Sequence, residues 1–322
     1  MPSILLPCQV NNEPNMSFMK TVLTFLLLVI LCTLTLSAEE NLLNSQKQQE
    51  PPLDQKKDIL LVIHYNCPFY SSVDFIRDLY SPVFANIVFY GDAKSEKESE
   101  NKDVTFIPSQ NGAFFLKVVA DVLERYPNYR GYIFLQDDCI LNYWNITNLN
   151  PDKIWYAISY NNDTQKFYAD INLKTGVQES SRKWEGWDYG QTFHKVKRAV
   201  DKLSEKQLTQ LQKNISYDKA VIQLSDMFYL PGIYRKDAAE LCNVYNEVFC
   251  EVAVPMMLCS LAPMPEWESI DMMWGQDTYF VFYCYPNTVH WVHPIKFSNE
   301  SFRTRTMNIF NKYKPAQPAV GL

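Results

Sequence analysis

Short apolar runs alternate with helical patterns between residues 58 and 138, and this alternation limits the fold more than any other feature of the chain. The apolar runs cover residues 59–65, 85–92, 104–109 and 131–138, and the helical patterns between them cover residues 71–80 and 113–126. Continuous apolar runs of this length are typical of strands that are buried on both faces of a parallel sheet. Because parallel neighbours need crossover connections, the pattern predicts an open, mostly parallel α/β sheet flanked by helices.

The second half of the chain has a less regular pattern. It predicts helices over residues 204–213 and 236–262, and short strands over residues 226–231, 278–285 and 288–293. With 322 residues, of which 47% are hydrophobic, the chain is long enough to bury one large core. Since no internal repeat is present, we interpret residues 58–322 as a single α/β domain.

An uncharged apolar run over residues 21–38 predicts a membrane-targeting segment. Its length falls between the core of a signal peptide and the roughly 20 apolar residues that a spanning helix needs. A start at Met16 or Met19 makes the run a cleaved signal peptide, whereas a start at Met1 makes it a signal anchor behind a short tail. Lys20 before the run and two acids after it favour a luminal position for the rest of the chain.

Polar residues 39–57, interrupted by Pro51 and Pro52, offer almost nothing to a core and predict a stem. The predicted organisation is a tail over residues 1–20, a signal anchor or signal peptide over 21–38, a stem over 39–57 and a luminal domain over 58–322. A net charge of -6 without a cluster of lysine and arginine argues against nucleic acid as a partner.

Two further residue types agree with a luminal position. Asn-X-Ser/Thr acceptors for glycosylation occur at Asn145, Asn162, Asn214 and Asn299. The cysteines after the targeting run are Cys67, Cys139, Cys242, Cys250, Cys259 and Cys284. An even number of cysteines in an oxidising compartment predicts disulfide bonds, although the spacing selects no particular pairing.

Two carboxylates, Asp137 and Asp138, lie at the end of the fourth predicted strand. Ligands of open parallel sheets bind outside the carboxyl ends of the strands, so these side chains stand where a site is expected. Both can reach one divalent cation such as Mn²⁺ or Mg²⁺, which neutralises a diphosphate leaving group. The alternative is that they cap the next turn or begin a surface loop. His64, at the end of the first strand, joins them in the predicted cofactor-binding set.

Other polar residues near the C-terminus are candidates for the same site. In an extended segment His290 and His293 point to opposite faces, so one imidazole can complete a metal shell while the other packs elsewhere. Asp277 follows a Trp-Gly turn and is the candidate general base for an acceptor hydroxyl, with a helix N-cap as its alternative. Residues 184–190, WEGWDYG, combine aromatic rings and carboxylates that suit either a sugar or a packed lid.

Six segments, read in order, resemble the STELLO-like glycosyltransferase family: ILLVIHYNCPFY, IVFYGD, GYIFLQDDCILNYWN, MFYLP, WGQD and VHPIKFS. The similarity covers residues 58–298, most of the luminal chain. It implies a GT-A-like nucleotide-diphospho-sugar transferase fold, a Golgi type II topology, and a divalent cation with a nucleotide sugar. The acidic motif of such enzymes is usually Asp-X-Asp, whereas Gln136 stands here where the first acid often stands. The resemblance therefore assigns Asp138, then Asp137 and His293, to the metal.

The sequence leaves three functional hypotheses. The first is a metal-dependent transferase of the Golgi membrane, or a secreted one, that moves a sugar from a nucleotide-sugar donor to a glycan, lipid or protein acceptor. In it residues 21–38 hold the chain in the membrane if they are not cleaved. The second is a non-catalytic luminal scaffold or carbohydrate-binding module with the same fold. The third is a glycosidase, which needs Asp277 or Glu185 as the partner acid because adjacent carboxylates cannot flank a sugar ring.

Overall fold

A computed structural model describes residues 59–98, 103–158, 160–161, 166–167, 171–175, 192–215, 218–275 and 277–314. These residues all belong to one compact unit, which extends from Lys56 to Leu322. The predicted targeting run and the stem lie outside the described residues. Within the described ranges, no helix has the length and apolarity that a membrane crossing requires.

The secondary structure mixes short strands with helices. The described strands are β1 (Leu60–His64), β2 (Asn86–Asp92), β3 (Val104–Ile107), β4 (Gly131–Gln136), β5 (Ile140–Leu141), β6 (Trp155–Tyr156), β7 (Tyr160–Asn161), β8 (Lys166–Phe167), β9 (Ile171–Asn172), β10 (Lys219–Ala220), β11 (Met227–Pro231), β12 (Glu268–Ser269), β13 (Met272–Trp274) and β14 (Trp291–His293). The described α-helices are α1 (Val73–Tyr80), α2 (Leu116–Arg125), α3 (Tyr143–Ile146), α4 (Thr192–Val200), α5 (Glu205–Asn214), α6 (Arg235–Tyr245), α7 (Cys250–Leu261), α8 (Thr278–Tyr283) and α9 (Glu300–Tyr313). Short 3₁₀ helices cover Tyr70–Ser72, Ala93–Glu98, Gly232–Tyr234 and Met264–Glu266.

The central sheet contains seven strands in the order β12-β6-β11-β4-β1-β2-β3. β1 pairs in parallel with β2 and β4, and β2 pairs in parallel with β3. β11 is antiparallel to both of its neighbours, β4 and β6. The predicted α/β fold with a mostly parallel sheet is therefore confirmed, with β11 as the reversed strand.

Two apolar layers cover the two faces of this sheet. Along β1, Val62 belongs to one layer and Ile63 to the other. Helices α2, α6 and α7 contribute to the first layer, and helices α1 and α9 contribute to the second. Because alternate side chains are buried against opposite layers, every residue of β1 is buried, as its continuous apolar run predicts.

Two elements of the second half differ from the prediction. The strand predicted over residues 278–285 is wrong, because helix α8 occupies most of that segment. Asp277 caps this helix, since its Oδ1 accepts the backbone N–H of Phe280 at 2.8 Å. Periodicity alone cannot distinguish a short apolar strand from a short helix. The long helix predicted over residues 236–262 is divided into α6 and α7.

The cysteines do not form the predicted disulfide bonds, because the structure contains all six as free thiols. Cys139, Cys242 and Cys259 are buried in the apolar layers, and burial raises the pKa of each thiol. Cys67 and Cys284 are exposed. The fold is therefore held by packing and hydrogen bonds over the described residues, not by covalent bridges between these thiols.

Candidate functional site

The two predicted carboxylates leave the sheet where three strands meet. β4 ends at Gln136, whose backbone N–H donates to the carbonyl oxygen of Asp226 at 2.9 Å. The backbone N–H of Asp137 donates to the carbonyl oxygen of His64 at 2.9 Å. Asp137 and Asp138 therefore lie at the carboxyl ends of β1 and β4, beside the start of the reversed strand β11.

A second, smaller sheet brings His293 to the same edge. After Asp138 the chain enters β5, which pairs antiparallel with β14, so that Ile140 lies opposite Val292. This register places the next residue of β14, His293, against the start of β5. Its Nε2 lies 3.3 Å from Oδ1 of Asp138. The backbone N–H of Ile295 also donates to the carbonyl oxygen of Asp138, at 2.6 Å, which fixes the loop after β14.

His290 does not lie beside the carboxylates as His293 does. This agrees with the prediction that the two histidines point to opposite faces. Its Nδ1 accepts the backbone N–H of Asp271 at 2.8 Å. Burial lowers the pKa of His290, so the neutral ring that this hydrogen bond needs is favoured. His290 is thus a structural residue, and only His293 faces the carboxylates.

The charges around Asp138 are strongly coupled. Burial raises its pKa, but the adjacent His293 and the ammonium of Lys296 outweigh burial and hold the pKa at about 2. Lys296 Nζ contacts the Oδ2 atom of Asp138. Burial, followed by the charge of Asp138, raises the pKa of Asp137 well above its usual range. The ionised carboxylate of the pair is therefore Asp138.

Two acids that the sequence analysis did not single out complete the site. Asp226 precedes β11, and its Oδ1 lies 3.9 Å from Nε2 of His293. Its Oδ2 is buried without a hydrogen-bond partner among the described residues. Burial raises the pKa of Glu251, at the start of α7, to about 8, and Asp226 adds to this effect. The available signal for Asp226 was an acid at the first position of a predicted strand, but its relevance depends on the antiparallel direction of β11.

His64 and Gln136 form a buried pair beneath these acids. His64 is completely buried, and its ring stacks on Phe115 with centroids 4.7 Å apart. Burial lowers the pKa of His64 to about 4, so the ring is neutral. Its Nδ1 lies 3.1 Å from Oε1 of Gln136, which is therefore the acceptor of a ring N–H. His64 thus orients Gln136, and its own place in a cofactor-binding set stays a prediction.

The donor atoms at this edge fit a divalent cation. Asp138, Cys139 and His293 each offer one ligand atom, and these three atoms lie within 4.8 Å of one another. Asp138 Oδ1 is buried without a hydrogen-bond partner among the described residues. Burial keeps the Cys139 thiol protonated by raising its pKa, which makes it a poor ligand for a hard cation. The identity of the cation, and Asp137 as a further ligand, stay predictions.

Asp277 and the aromatic residues around it flank the site. The backbone N–H of Gly275 donates to the carbonyl oxygen of His293 at 2.8 Å. Trp274 stacks beside His293, with ring centroids 6.4 Å apart, and is 52% exposed. Asp277 is exposed and acts as the N-cap of α8, so its role as a general base stays a prediction. The aromatic segment 184–190 lies outside the described residues.

The predicted glycosylation sites differ in accessibility. Asn299 is exposed at the N-terminus of α9. Asn145 is half-buried, and its Nδ2 donates to the carbonyl oxygens of Asn287 and Val289. The glycosylation site predicted at Asn214 is wrong. Asn214 is 2% exposed and its Nδ2 donates to two buried carbonyl groups, which leaves no room for a glycan. Asn162 lies outside the described residues.

Comparison with solved structures finds glycosyltransferases at low similarity. The apo structure of the bifunctional glycosyltransferase WbbM aligns with a TM-score of 0.38 and 10% identity, over 76% of this chain and 46% of that one. The galactosyltransferase LgtC, in complex with donor and acceptor sugar analogues, aligns with a TM-score of 0.37 and 10% identity, over 81% of this chain and 97% of that one.

Sequence comparison finds two curated relatives from Arabidopsis thaliana, and no protein-family model matches the chain. The probable glycosyltransferase STELLO2 is 23% identical over 209 residues, which are 63% of this chain and 25% of that protein. The probable glycosyltransferase STELLO1 is 23% identical over 209 residues, or 63% of this chain and 24% of that protein. The chain spans about a quarter of the length of these relatives. The motif-based resemblance is therefore confirmed as a weak homology to the STELLO glycosyltransferases.

Proposed function

We propose that this chain is a GT-A-like glycosyltransferase domain that binds a nucleotide-sugar donor at the carboxyl edge of its sheet. The observation that carries the proposal is the approach of His293 to within 3.3 Å of Asp138, beside a carboxylate oxygen of Asp226 that has no partner among the described residues. Open parallel sheets bind their ligands at this edge. The weak homology to proteins named as glycosyltransferases supports the same class of activity.

In this proposal Asp138, His293 and Asp226 hold Mn²⁺ or Mg²⁺, with Asp137 as a further carboxylate close by. A bound cation supplies positive charge that stabilises a diphosphate leaving group. Because its pKa is about 2, Asp138 is ionised at neutral pH and releases no proton when it binds a cation. The Gly275–His293 hydrogen bond holds the backbone of His293 beside the carboxylates.

Lys296 provides a second, movable positive charge. Its Nζ contacts Asp138, and its side chain is 48% exposed. A lysine ammonium on a flexible stem can move from a carboxylate to the phosphate oxygens of a bound donor. Asp277 is proposed to orient the acceptor hydroxyl, since only its Oδ1 is engaged by the helix cap within the described residues.

The cellular setting is also a proposal. We infer a luminal domain of the Golgi membrane with type II topology through residues 21–38, or a secreted domain if this run is cleaved. The acceptor is a glycan, a lipid or a protein. The apolar run and the exposed acceptor at Asn299 support this setting. Endoglycosidase treatment of the protein from secretory cells tests it, and an unchanged electrophoretic mobility would count against glycan addition.

Isothermal titration calorimetry of the full chain tests the proposed donor site. We expect UDP, GDP or ADP to bind in the presence of Mn²⁺ and to lose at least about 10-fold in affinity when Mn²⁺ is removed. Asp138→Asn should abolish this metal dependence. Asp152→Asn, a 67% exposed acid that lies 3.7 Å from Arg130, is the matched control and should behave as wild type. Metal-dependent binding that survives in Asp138→Asn would refute the assigned site.

A second candidate is a non-catalytic luminal scaffold or carbohydrate-binding module. It is favoured by the contact between Lys296 and Asp138, which already satisfies the carboxylate with a protein cation. A scaffold of this kind binds no nucleoside diphosphate in a Mn²⁺-dependent way. The same titration therefore separates the two candidates.

A further inference from the structure

A polar cavity of about 270 Å³ opens beside the proposed cation site. Its walls include Asn66, Gln110, Asn111, Gln136, Asp226 and Glu251. Asp226 belongs to both places, since one of its oxygens lies 3.9 Å from the imidazole of His293. The cavity is therefore adjacent to the position proposed for a diphosphate, within reach of the next part of the same ligand.

The chemistry of the walls indicates what that part is. Amides and carboxyl groups line the cavity, and none of the described lining residues is a lysine or an arginine. The oxygens Asn66 Oδ1 and Asp226 Oδ2 are buried and lack hydrogen-bond partners among the described residues. Such groups are costly to leave unpaired, so they favour a ligand that brings hydroxyl donors. A phosphate group in the cavity would meet acceptor oxygens and acids, with no lysine or arginine among the described lining residues.

Gln136 supplies the complementary donors. Its Oε1 is turned towards the neutral ring of His64, which leaves its amide N–H groups for a ligand. The cavity thus offers both hydrogen-bond donors and acceptors to a ligand. Hydroxyl groups need both kinds of partner, because each hydroxyl donates and accepts a hydrogen bond. The hydrogen bond with His64 thus gives Gln136 a role in binding the ligand. In metal-binding enzymes of this kind an acid occupies the corresponding position.

Size limits the ligand further. Pockets for whole drug-sized ligands have volumes of about 300–1,000 Å³. The 270 Å³ cavity falls below this range and suits a single sugar ring. Building on the proposed donor site, we propose that this cavity binds the sugar ring of the nucleotide sugar, and that the ring is an uncharged hexose and not a hexuronic acid. A carboxylate on the sugar would enter a cavity whose described lining holds no lysine or arginine to pair with it.

Matched donors test this selectivity in the full chain with Mn²⁺. The pairs are UDP-glucose with UDP-glucuronic acid, and GDP-mannose with GDP-mannuronic acid, with UDP and GDP alone as references. Because burying a carboxylate without a cationic partner is costly, we expect the uncharged sugar to bind at least about 10-fold more tightly than the acid in the pair whose nucleotide binds. Equal binding, or tighter binding of the acid, would overturn the inference.

A variant of the wall provides the second measurement. Asn66→Ala removes a side-chain oxygen that has no partner among the described residues, so the described fold loses no hydrogen bond from this oxygen. It should lower the affinity for the hexose nucleotide about 5-fold and leave the affinity for UDP or GDP alone unchanged. Asp152→Asn again serves as the surface control. An equal loss for both ligands would place Asn66 outside the sugar cavity.

The two proposals fail in different ways. If nucleoside diphosphates bind with Mn²⁺ but each matched pair binds equally, the sugar selectivity is wrong and the donor site stands. If no nucleoside diphosphate binds with Mn²⁺, the proposed function is wrong and the inference falls with it.

Discussion

The carboxylate of Asp92 holds the loop that forms one wall of the polar cavity. Replacing this carboxylate by an amide tests how much it stabilises the fold. Asp92 ends β2 and is 1% exposed. Its Oδ2 accepts the backbone N–H groups of Ser109 and Asn111 at 2.9 and 3.0 Å, and the Ser109 hydroxyl at 3.0 Å. Its Oδ1 accepts the backbone N–H of Lys94 at 2.8 Å. Gln110 and Asn111 have positive φ angles of 52° and 54°, so this turn needs support from outside its own backbone.

We expect Asp92→Asn to lower the free energy of unfolding by about 3 kcal/mol. The amide keeps one acceptor oxygen, so at least one backbone N–H faces an amide nitrogen and loses its partner. Hydrogen bonds to charged groups contribute about 1.5–3 kcal/mol each, and neutral ones about 0.5–1.5 kcal/mol. One lost bond and the weakening of the other three account for the expected change.

The effect should also depend on pH. Burial alone would raise the pKa of Asp92, but its four hydrogen bonds outweigh burial and lower the pKa. Because the native pKa lies below the unfolded value, the stabilisation is complete above the unfolded pKa of about 4. It is lost as the pH falls through the native pKa, so the difference between wild type and Asp92→Asn should shrink in acid.

Urea unfolding followed by tryptophan fluorescence, at pH 7 and in acid, measures both quantities. Asp74→Asn is the control, because Asp74 is 83% exposed and lies 3.3 Å from Arg77 in a surface ion pair. Its loss should cost less than about 0.5 kcal/mol. The reasoning is refuted if Asp92→Asn unfolds within about 0.5 kcal/mol of wild type at pH 7, or if the difference grows in acid.

Three further predictions concern residues that the structure reassigns. Asn214→Ala should destabilise the domain by about 3 kcal/mol in urea unfolding, because it leaves two carbonyls and one N–H without their buried partner. Mass spectrometry should find no glycan at Asn214, and a glycosylated peptide there would contradict the buried position. Asp277→Ala should cost about 1 kcal/mol through loss of the α8 cap. If transfer from a nucleotide sugar is unchanged in Asp277→Ala, the cap is its only role. Cys67 and Cys284 should react with iodoacetamide in the folded protein while the buried cysteines do not, and disulfide-linked peptides would refute the free thiols.

The sequence and the tertiary structure contributed different parts of the site. Asp137 and Asp138 could be placed from the sequence, because a continuous apolar run marks a buried strand and the acids follow its end. Asp226 could not, because the pattern of β11 does not reveal its direction. The reversed strand brings its first residues, not its last, to the carboxyl end of β4.

The contact between His293 and Asp138 shows the same limit. The sequence indicated that only one of the two histidines faces a given site, which follows from the alternation of side chains along a strand. It could not show that β5 pairs with β14, since this pairing joins residues about 150 positions apart through short segments of weak pattern. The pairing register, not the motif, decides that His293 meets the carboxylate.

The sequence by itself determined the α/β class, most elements of the parallel sheet and the strand-end position of two acids. These features depend on local periodicity and on the chemistry of neighbouring residues. The tertiary structure alone decided that residues 278–283 form a helix, that Asn214 is buried and the six cysteines are free thiols, and that His293 lies close to both Asp138 and Asp226. These outcomes depend on which distant segments pack together, and the free energy of that packing is not contained in any local pattern.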